Sequence, residues 1–288
     1  MPKKRIALTL GDPAGIGPEV VRAALSRPEV QALAEFTILG TTDGHSPGEP
    51  TPAGAQAAFS ALEEAVQRAQ NSEFAAVVTG PVSKRQMHAV GFDFPGQTEF
   101  FASRTGTANF AMCLTGGALT VGLVTAHVPL QAVPELLTRD EIVRVGGLLA
   151  DFSRRRGIAQ PRIAVAGLNP HAGENGDLGR EEIEIIAPAI TALKAHFPAA
   201  IFTGPLPPDT VFFRAVAGEF DAILCMYHDQ GLIPLKLHAF DSGVNVTLGL
   251  PFPRTSPDHG TAYEIAGRGI ARPDSMIAAI HLAVELAE

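Results

Sequence analysis

The sequence is poor in cysteine, in positive charge and in long apolar runs, and each shortage closes off a class of protein. Only two cysteines stand among 288 residues. Cys113 (in AMCL) and Cys225 (in ILCM) both sit inside apolar runs, the pattern of buried free thiols and not of a disulfide framework. A reducing compartment is therefore expected. The formal net charge of −8 offers no bulk attraction to nucleic acid or to an acidic membrane, although one basic pocket for a small anion stays compatible with it. No run approaches the ~20 apolar residues of a membrane helix, and the opening MPKKRIALTLGD has too short an apolar stretch for a signal-peptide core. The expectations are a cytoplasmic protein with a small-molecule partner, no nucleic acid and no membrane. No internal repeat is visible either.

What is present reads as an ordinary globular enzyme, with 46% hydrophobic and 18% charged residues. At the usual domain size of roughly 100–150 residues the length favours two domains. Short apolar runs, Arg5 to Leu10, Phe36 to Gly40, Phe74 to Thr79, Val121 to Ala126, Ile163 to Gly167 and Asp221 to Met226, read as buried strands. Helical spacing fills the intervals. An amphipathic pattern starts at Gly54, a capping box formed by Thr138 and Glu141 opens a helix running to about Arg156, and Glu181 to His196 is a helix interrupted at Pro188. This alternation predicts an α/β fold with parallel or mostly parallel sheets.

In such sheets ligands gather outside the carboxyl ends of the strands, so the residues after each strand matter most. The first strand leads into GDPAGIGPE, a glycine-rich turn entering a helix. Its glycines fit the dinucleotide fingerprint badly, and a packed tight turn is as good a reading as an anion-approach loop. Three other strands each deliver a histidine: His127, His171 in NPHAGE, and His228 in the cluster Tyr227-His228-Asp229-Gln230. Ligands from separate strand ends suit a catalytic metal with three protein ligands and an open position. On spacing alone, three unrelated loop histidines are an equal reading. His45, His88, His196, His238 and His281 carry no such context. Lys236, Asn245 and Arg254 interrupt apolar stretches and would suit a phosphorylated substrate, against the alternative of plain surface polarity. Asp209 in GPLPPDT reads as a helix N-cap before it reads as an acid or base.

Eight blocks in order along the chain, GDPAGIGPE, TGPVSK, FPGQTEF, TAHVPL, GLNPHAGENGDLGREE, GPLPPDT, YHDQGLIPLK and VNVTLGLPFPRTSPDHGTAYEIAG, together resemble the 4-hydroxythreonine-4-phosphate dehydrogenase family of pyridoxine 5′-phosphate biosynthesis. The resemblance implies a two-domain isocitrate/isopropylmalate dehydrogenase-like fold with the active site in the interdomain cleft of a homodimer. The first domain is drawn at residues 1–95 plus 249–288, and the second, with most metal ligands and the dimer interface, at 96–248. By the same resemblance His127, His171 and His228 are ligands of one divalent metal (zinc, magnesium or cobalt), one of them reaching in from the partner subunit. Gln97, Thr98, Lys236, Asn245 and Arg254 are substrate contacts, and His259, Gly260 and Thr261 belong to the loop for NAD or NADP. Lys236, Asp229 and Asp209 are the candidates for acid, base or supporting roles.

The implied reaction oxidises 4-phosphooxy-L-threonine to 2-amino-3-oxo-4-(phosphooxy)butanoate, which loses carbon dioxide to give 3-amino-2-oxopropyl phosphate. Two departures stand out. The family pattern FPGHTE has a histidine where this chain has Gln97, and a glutamine cannot become a cation. The loop Thr41 to Pro52 is shorter than in the family. Gln97 supports an alternative: a paralogous dehydrogenase of another phosphorylated hydroxy acid, such as phospho-threonate or phospho-erythronate. A metal-dependent hydrolase and a non-catalytic phosphometabolite-binding protein rank below it.

Overall fold

Four of the five residues of the first strand, β1 (Arg5–Thr9), are buried, as a run of Ile, Ala and Leu without polar alternation demands. In the computed structural model, which describes residues 3–287, α1 (Gly17–Leu25), α2 (Pro28–Gln31), β2 (Glu35–Leu39), α3 (Pro52–Gln70), β3 (Ala76–Thr79), α4 (Lys84–His88) and α5 (Gln97–Thr105) follow. Met1 and Pro2 of the basic opening stretch lie outside the described residues. The chain continues through β4 (Ala111–Gly116), β5 (Leu119–Leu123), α6 (Val133–Leu136), α7 (Arg139–Arg155), β6 (Arg162–Ala166) and α8 (Ala187–His196). Next come β7 (Ile201–Leu206), α9 (Pro208–Val216), β8 (Ala222–Cys225) and α10 (His228–Ala239), before β9 (Val244–Leu248), β10 (Arg254–Pro257) and α11 (Asp274–Leu286).

These elements form two units. Unit one takes the residues up to Ala108 and those from Asp241 onward, and unit two is Asn109–Phe240. Within unit one the strand order is β2-β1-β3-β10-β9, with β9 antiparallel to β10 and the other pairs parallel. The α3 helix packs on β1 and β3, and α11 packs on β3, β9 and β10. Within unit two the order is β4-β5-β8-β6-β7, with β4 antiparallel to β5 and the rest parallel. Here α10 packs on β4 and β5, α7 on β5 and β8, and α8 on β7. The unit boundaries differ from those drawn at 95/96 and 248/249, and packing explains where they fall. The α5 rings Phe100 and Phe101 belong to an aromatic cluster with Phe59, Phe92, Phe94 and Phe252, and β9 is hydrogen-bonded to β10 through Asn245 opposite Ser256.

Local signals resolve into specific contacts. The Thr138 hydroxyl accepts from the backbone N–H of Glu141 and caps α7. The Glu141 carboxylate turns instead to Arg144 at 2.6 Å, so the reciprocal half of the capping box is replaced by an ion pair one turn on. Around Pro188 the helix widens: Glu182–Ile186 is a π turn, and the proline sits in the first turn of α8, where its missing N–H costs least. Asp209 is not the N-cap expected of it. Pro207 holds that position, and Asp209 stands exposed in the first turn of α9, where its charge complements the helix dipole. Both cysteines are free and buried. Burial pushes the Cys113 thiol up to about 12 and raises Cys225 as well, which makes them inert core residues. No helix among the described residues is long and apolar enough to cross a membrane.

Candidate functional site

In unit two the carboxyl ends of β5, β8 and β6 lie side by side because the three strands are parallel neighbours. The first two are joined past their ends, where the Thr125 backbone and side chain both donate to the carbonyl of Met226. That register brings the rings of His127 and His228 to 5.8 Å between centroids. Both line a cavity of about 200 Å³ together with Thr125, Leu130, Tyr227 and Asp229. Gln230 ties the third strand in: its amide oxygen accepts from Met226 N–H and its amide nitrogen donates to the carbonyl of Gly167, each at 2.7 Å. The sequence cluster Tyr227 to Gln230 is therefore one histidine facing a cavity and one glutamine lacing two strand ends together.

His171 follows β6 but lines a second cavity, with Glu174, Glu182, Pro205 and Pro207. The loop carrying it is held from inside by Glu182, 3% exposed, which accepts from the backbone N–H groups of Leu168 and Asn169 and from the Asn169 amide. Gly173, at φ +81°, closes the loop over this carboxylate, and a Cβ there would stand 2.6 Å from its Oε2. His171, Ala172, Glu174 and Asn175 all have positive φ, as does His127. Non-glycine residues pay for that conformation in strain, and such runs concentrate at functional sites.

Two of the three histidines share a further feature. His171 Nδ1 lies 2.6 Å from Glu174 Oε1, and His228 Nδ1 lies 2.7 Å from Asp229 Oδ1. An ionised carboxylate only accepts, so each Nδ1 carries a proton, and in the neutral ring it is Nε2 that keeps the lone pair. This is how metal-ligating histidines are commonly oriented. The donor set of two cavity-facing imidazoles and carboxylates fits a divalent ion. Within one chain, however, no group of three or more His, Cys, Asp or Glu side chains converges among the described residues.

Unit one organises its own strand ends. Asp12 N–H donates to the carbonyl of Pro81, and Gly11, at φ +72°, approaches so closely that a Cβ would stand 2.3 Å from that oxygen. The glycine-rich turn is a packed turn. It also carries the downstream motif: Ile16 N–H donates to the carbonyl of Thr261, and the Tyr263 hydroxyl donates to Asp12 Oδ2 at 2.5 Å. Burial and the Asp12 carboxylate push the Tyr263 phenol up to about 12, against opposing hydrogen bonds from Ser83 and Thr261. Glu19 of α1 accepts from the backbone of Gly267 and Ala271. The HGTAYEIAG segment is thus fastened at several points, with Thr261 buried and Gly260 exposed in open space. His259 Nδ1 lies 3.1 Å from the carbonyl of Gly260. Asp12, Ser83, Tyr263, Glu174 and Glu182 were not singled out by sequence. Each lies inside a quoted block, but apart from Glu174, which meets His171 within its own loop, they act through contacts distant along the chain, which leave no local pattern to read.

The candidate anion residues of unit one meet around Arg254. Its guanidinium, 2% exposed, donates from Nη2 to Thr79 Oγ1 at 2.5 Å and to Gln97 Oε1 at 2.9 Å, and from Nη1 to Thr247 Oγ1 at 3.4 Å. Nε is buried with no hydrogen-bond partner, and so is Asn245 Oδ1. Burial draws the Arg254 pKa down to about 9, with the Glu99 carboxylate acting the other way. Thr98, buried, lies 3.3 Å from Thr247 through their hydroxyls. Lys236 sits in unit two, half-buried on α10.

Comparison with known proteins follows the same lines. The family model described as pyridoxal phosphate biosynthetic protein PdxA matches residues 14–283. The 4-hydroxythreonine-4-phosphate dehydrogenase of Thermosynechococcus vestitus is 43% identical over 330 aligned positions, covering 98% of this chain and 97% of that protein. Among solved structures, 4-hydroxythreonine-4-phosphate dehydrogenase from Klebsiella pneumoniae matches with a TM-score of 0.84 at 39% identity, over 99% of this chain and 100% of that one. Isocitrate dehydrogenase from Methylococcus capsulatus, at 16% identity and a TM-score of 0.56 over 96% of this chain and 83% of that one, shares the fold.

Proposed function

The chain belongs to the pyridoxal phosphate biosynthetic protein PdxA family, as an oxidoreductase of the 4-hydroxythreonine-4-phosphate dehydrogenase type, and from that premise we propose that it oxidises the secondary alcohol of 4-phosphooxy-L-threonine. The product is 2-amino-3-oxo-4-(phosphooxy)butanoate, a β-keto acid whose loss of carbon dioxide gives 3-amino-2-oxopropyl phosphate. His127, His171 and His228 would hold one divalent metal, which would supply Lewis-acid polarisation of the hydroxyl oxygen, and His259, Gly260 and Thr261 would hold NAD or NADP as the hydride acceptor.

The observation that carries this reading is the pair His127 and His228 at one cavity, the second with its Nδ1 fixed by Asp229 so that Nε2 is presented for coordination. Asp229 therefore orients a ligand and is not assigned the role of base. His171, oriented in the same way by Glu174 but lining another cavity, is assigned to the metal of a partner subunit in a homodimer. The surface of α10 and its C-cap supports a second copy: Ile233, Leu237 and the C-cap Phe240, spaced i, i+4, i+7, are 67%, 88% and 74% exposed, an apolar stripe that a solitary chain would leave in water. Arg254 and Lys236 are assigned to the substrate's phosphate, Arg254 because an under-solvated guanidinium gains most from a dianion. Asn245 and Thr98 are assigned to its polar groups. His259, Gly260 and Thr261 are assigned to the cofactor, on a loop whose exposed backbone at Gly260 is backed by Tyr263 and Asp12.

Gln97 favours one alternative, a dehydrogenase of phospho-threonate or phospho-erythronate. A panel of the three phosphorylated substrates, compared by kcat/KM for reduced-cofactor formation, separates the two. The reading expects 4-phosphooxy-L-threonine to lead by about tenfold or more, whereas a lead for either hydroxy acid without an amino group transfers the assignment to the paralogue.

A further inference from the structure

The side chain of Gln97 is engaged at both ends inside unit one. Its amide nitrogen donates to the carbonyl of Gly80 at 3.1 Å and its amide oxygen accepts from Arg254 Nη2 at 2.9 Å. It stands in the first turn of α5, directly after the Gly96 N-cap, so the backbone fixes where the amide starts and Gly80 fixes where it ends. Arg254 is held on its other sides by Thr79 and Thr247, and its plane lies over Phe101, 5.3 Å from the ring centroid. Two Nη2 donors are thereby occupied by neutral acceptors, while Nε, buried, has no partner at all.

Resting on the assignment of Arg254 to the phosphate, we propose that Gln97 is a positioning residue for that arginine: a neutral acceptor that aims the guanidinium without neutralising it, leaving its charge for a phosphorylated ligand. The physical requirement is narrow. An apolar side chain of the same length would leave one Nη2 donor buried without an acceptor, which is destabilising. A carboxylate would satisfy Nη2 better but, added to the Glu99 carboxylate that already acts on Arg254, would cancel the charge, and the anion would then have to compete with a directly hydrogen-bonded counter-ion. A protonated imidazole has donors only and could not accept from Nη2. Glutamine meets the geometry at every pH at which the protein is folded, with no titration of its own.

The test measures binding of inorganic phosphate to the full-length protein by calorimetry, with melting temperatures in parallel, for the wild type, Gln97→Glu, Gln97→Met and Arg254→Met. The expected result is that Gln97→Glu weakens phosphate binding by about tenfold or more while its melting temperature is equal to or above that of the wild type, because the buried arginine gains a counter-charge. Gln97→Met is expected to lose affinity and melting temperature together. Phosphate affinity within about twofold of wild type in Gln97→Glu overturns the proposal, and so does a parallel fall of affinity and melting temperature in that variant, which would mark Gln97 as merely structural. Arg254→Met binding phosphate as the wild type does, or a wild type that binds none, overturns instead the assignment of Arg254 on which the proposal rests.

Discussion

Replacing His228 with alanine is expected to lower kcat/KM by roughly 10³-fold or more, the scale on which removing a principal electrostatic contributor acts, while the fold stays intact. The side chain is 34% exposed and its hydrogen-bonded partner Asp229 is 71% exposed, so among the described residues its removal leaves no buried group unpaired. Stability should change by no more than about 0.5 kcal/mol. Steady-state kinetics beside a thermal melt checks both halves. Loss of activity with an unchanged melt places His228 in the chemistry, and activity within tenfold of wild type removes it from the metal set.

The second large effect falls on stability. Glu182→Ala deletes a buried carboxylate that accepts from Leu168 N–H, Asn169 N–H and the Asn169 amide. Three donors would be left without their acceptor beneath the NPHAGE loop. With about 1–3 kcal/mol for a buried unsatisfied group, and more for hydrogen bonds to a charge, the expected loss is about 3 kcal/mol. For a protein of this size that corresponds to a fall in melting temperature of roughly 6–12 °C. Because His171 rides on the same loop, divalent-metal affinity measured by calorimetry should fall with it. A melting temperature within about 2 °C of wild type would show that the loop holds its shape without Glu182.

The α/β architecture was legible because buried parallel strands advertise themselves. The runs ending at Thr9, Thr79, Leu123, Ala166 and Cys225 are short, apolar and bounded by turn signals, and each forms a strand. Four strands were not among those read from the sequence. β7, IFTGPL, has Gly204-Pro205 inside it, which reads as a turn, and β10, RTSP, contains no apolar run at all. β9 has Asn245 in its second position, and β4 was read only for its buried cysteine. The histidines could be named because they stand directly after strands. Of their orienting partners only Asp229, adjacent to His228, could be named as a supporting candidate; Glu174 reads as one more exposed acid until the ring nitrogen of His171 is placed against it. Gln97 was visible as a departure from a pattern, yet its meaning depended on Arg254, 157 residues away, a separation across which no local rule operates.

Metal-dependent oxidation of 4-phosphooxy-L-threonine is tested by following the absorbance of reduced cofactor with that substrate, using protein stripped by a chelator and then resupplied with zinc, magnesium or cobalt. The stripped protein is expected to show no turnover and to recover it with at least one of the three ions, using NAD or NADP. Turnover unaffected by stripping, or none with any ion and either cofactor, would contradict that expectation.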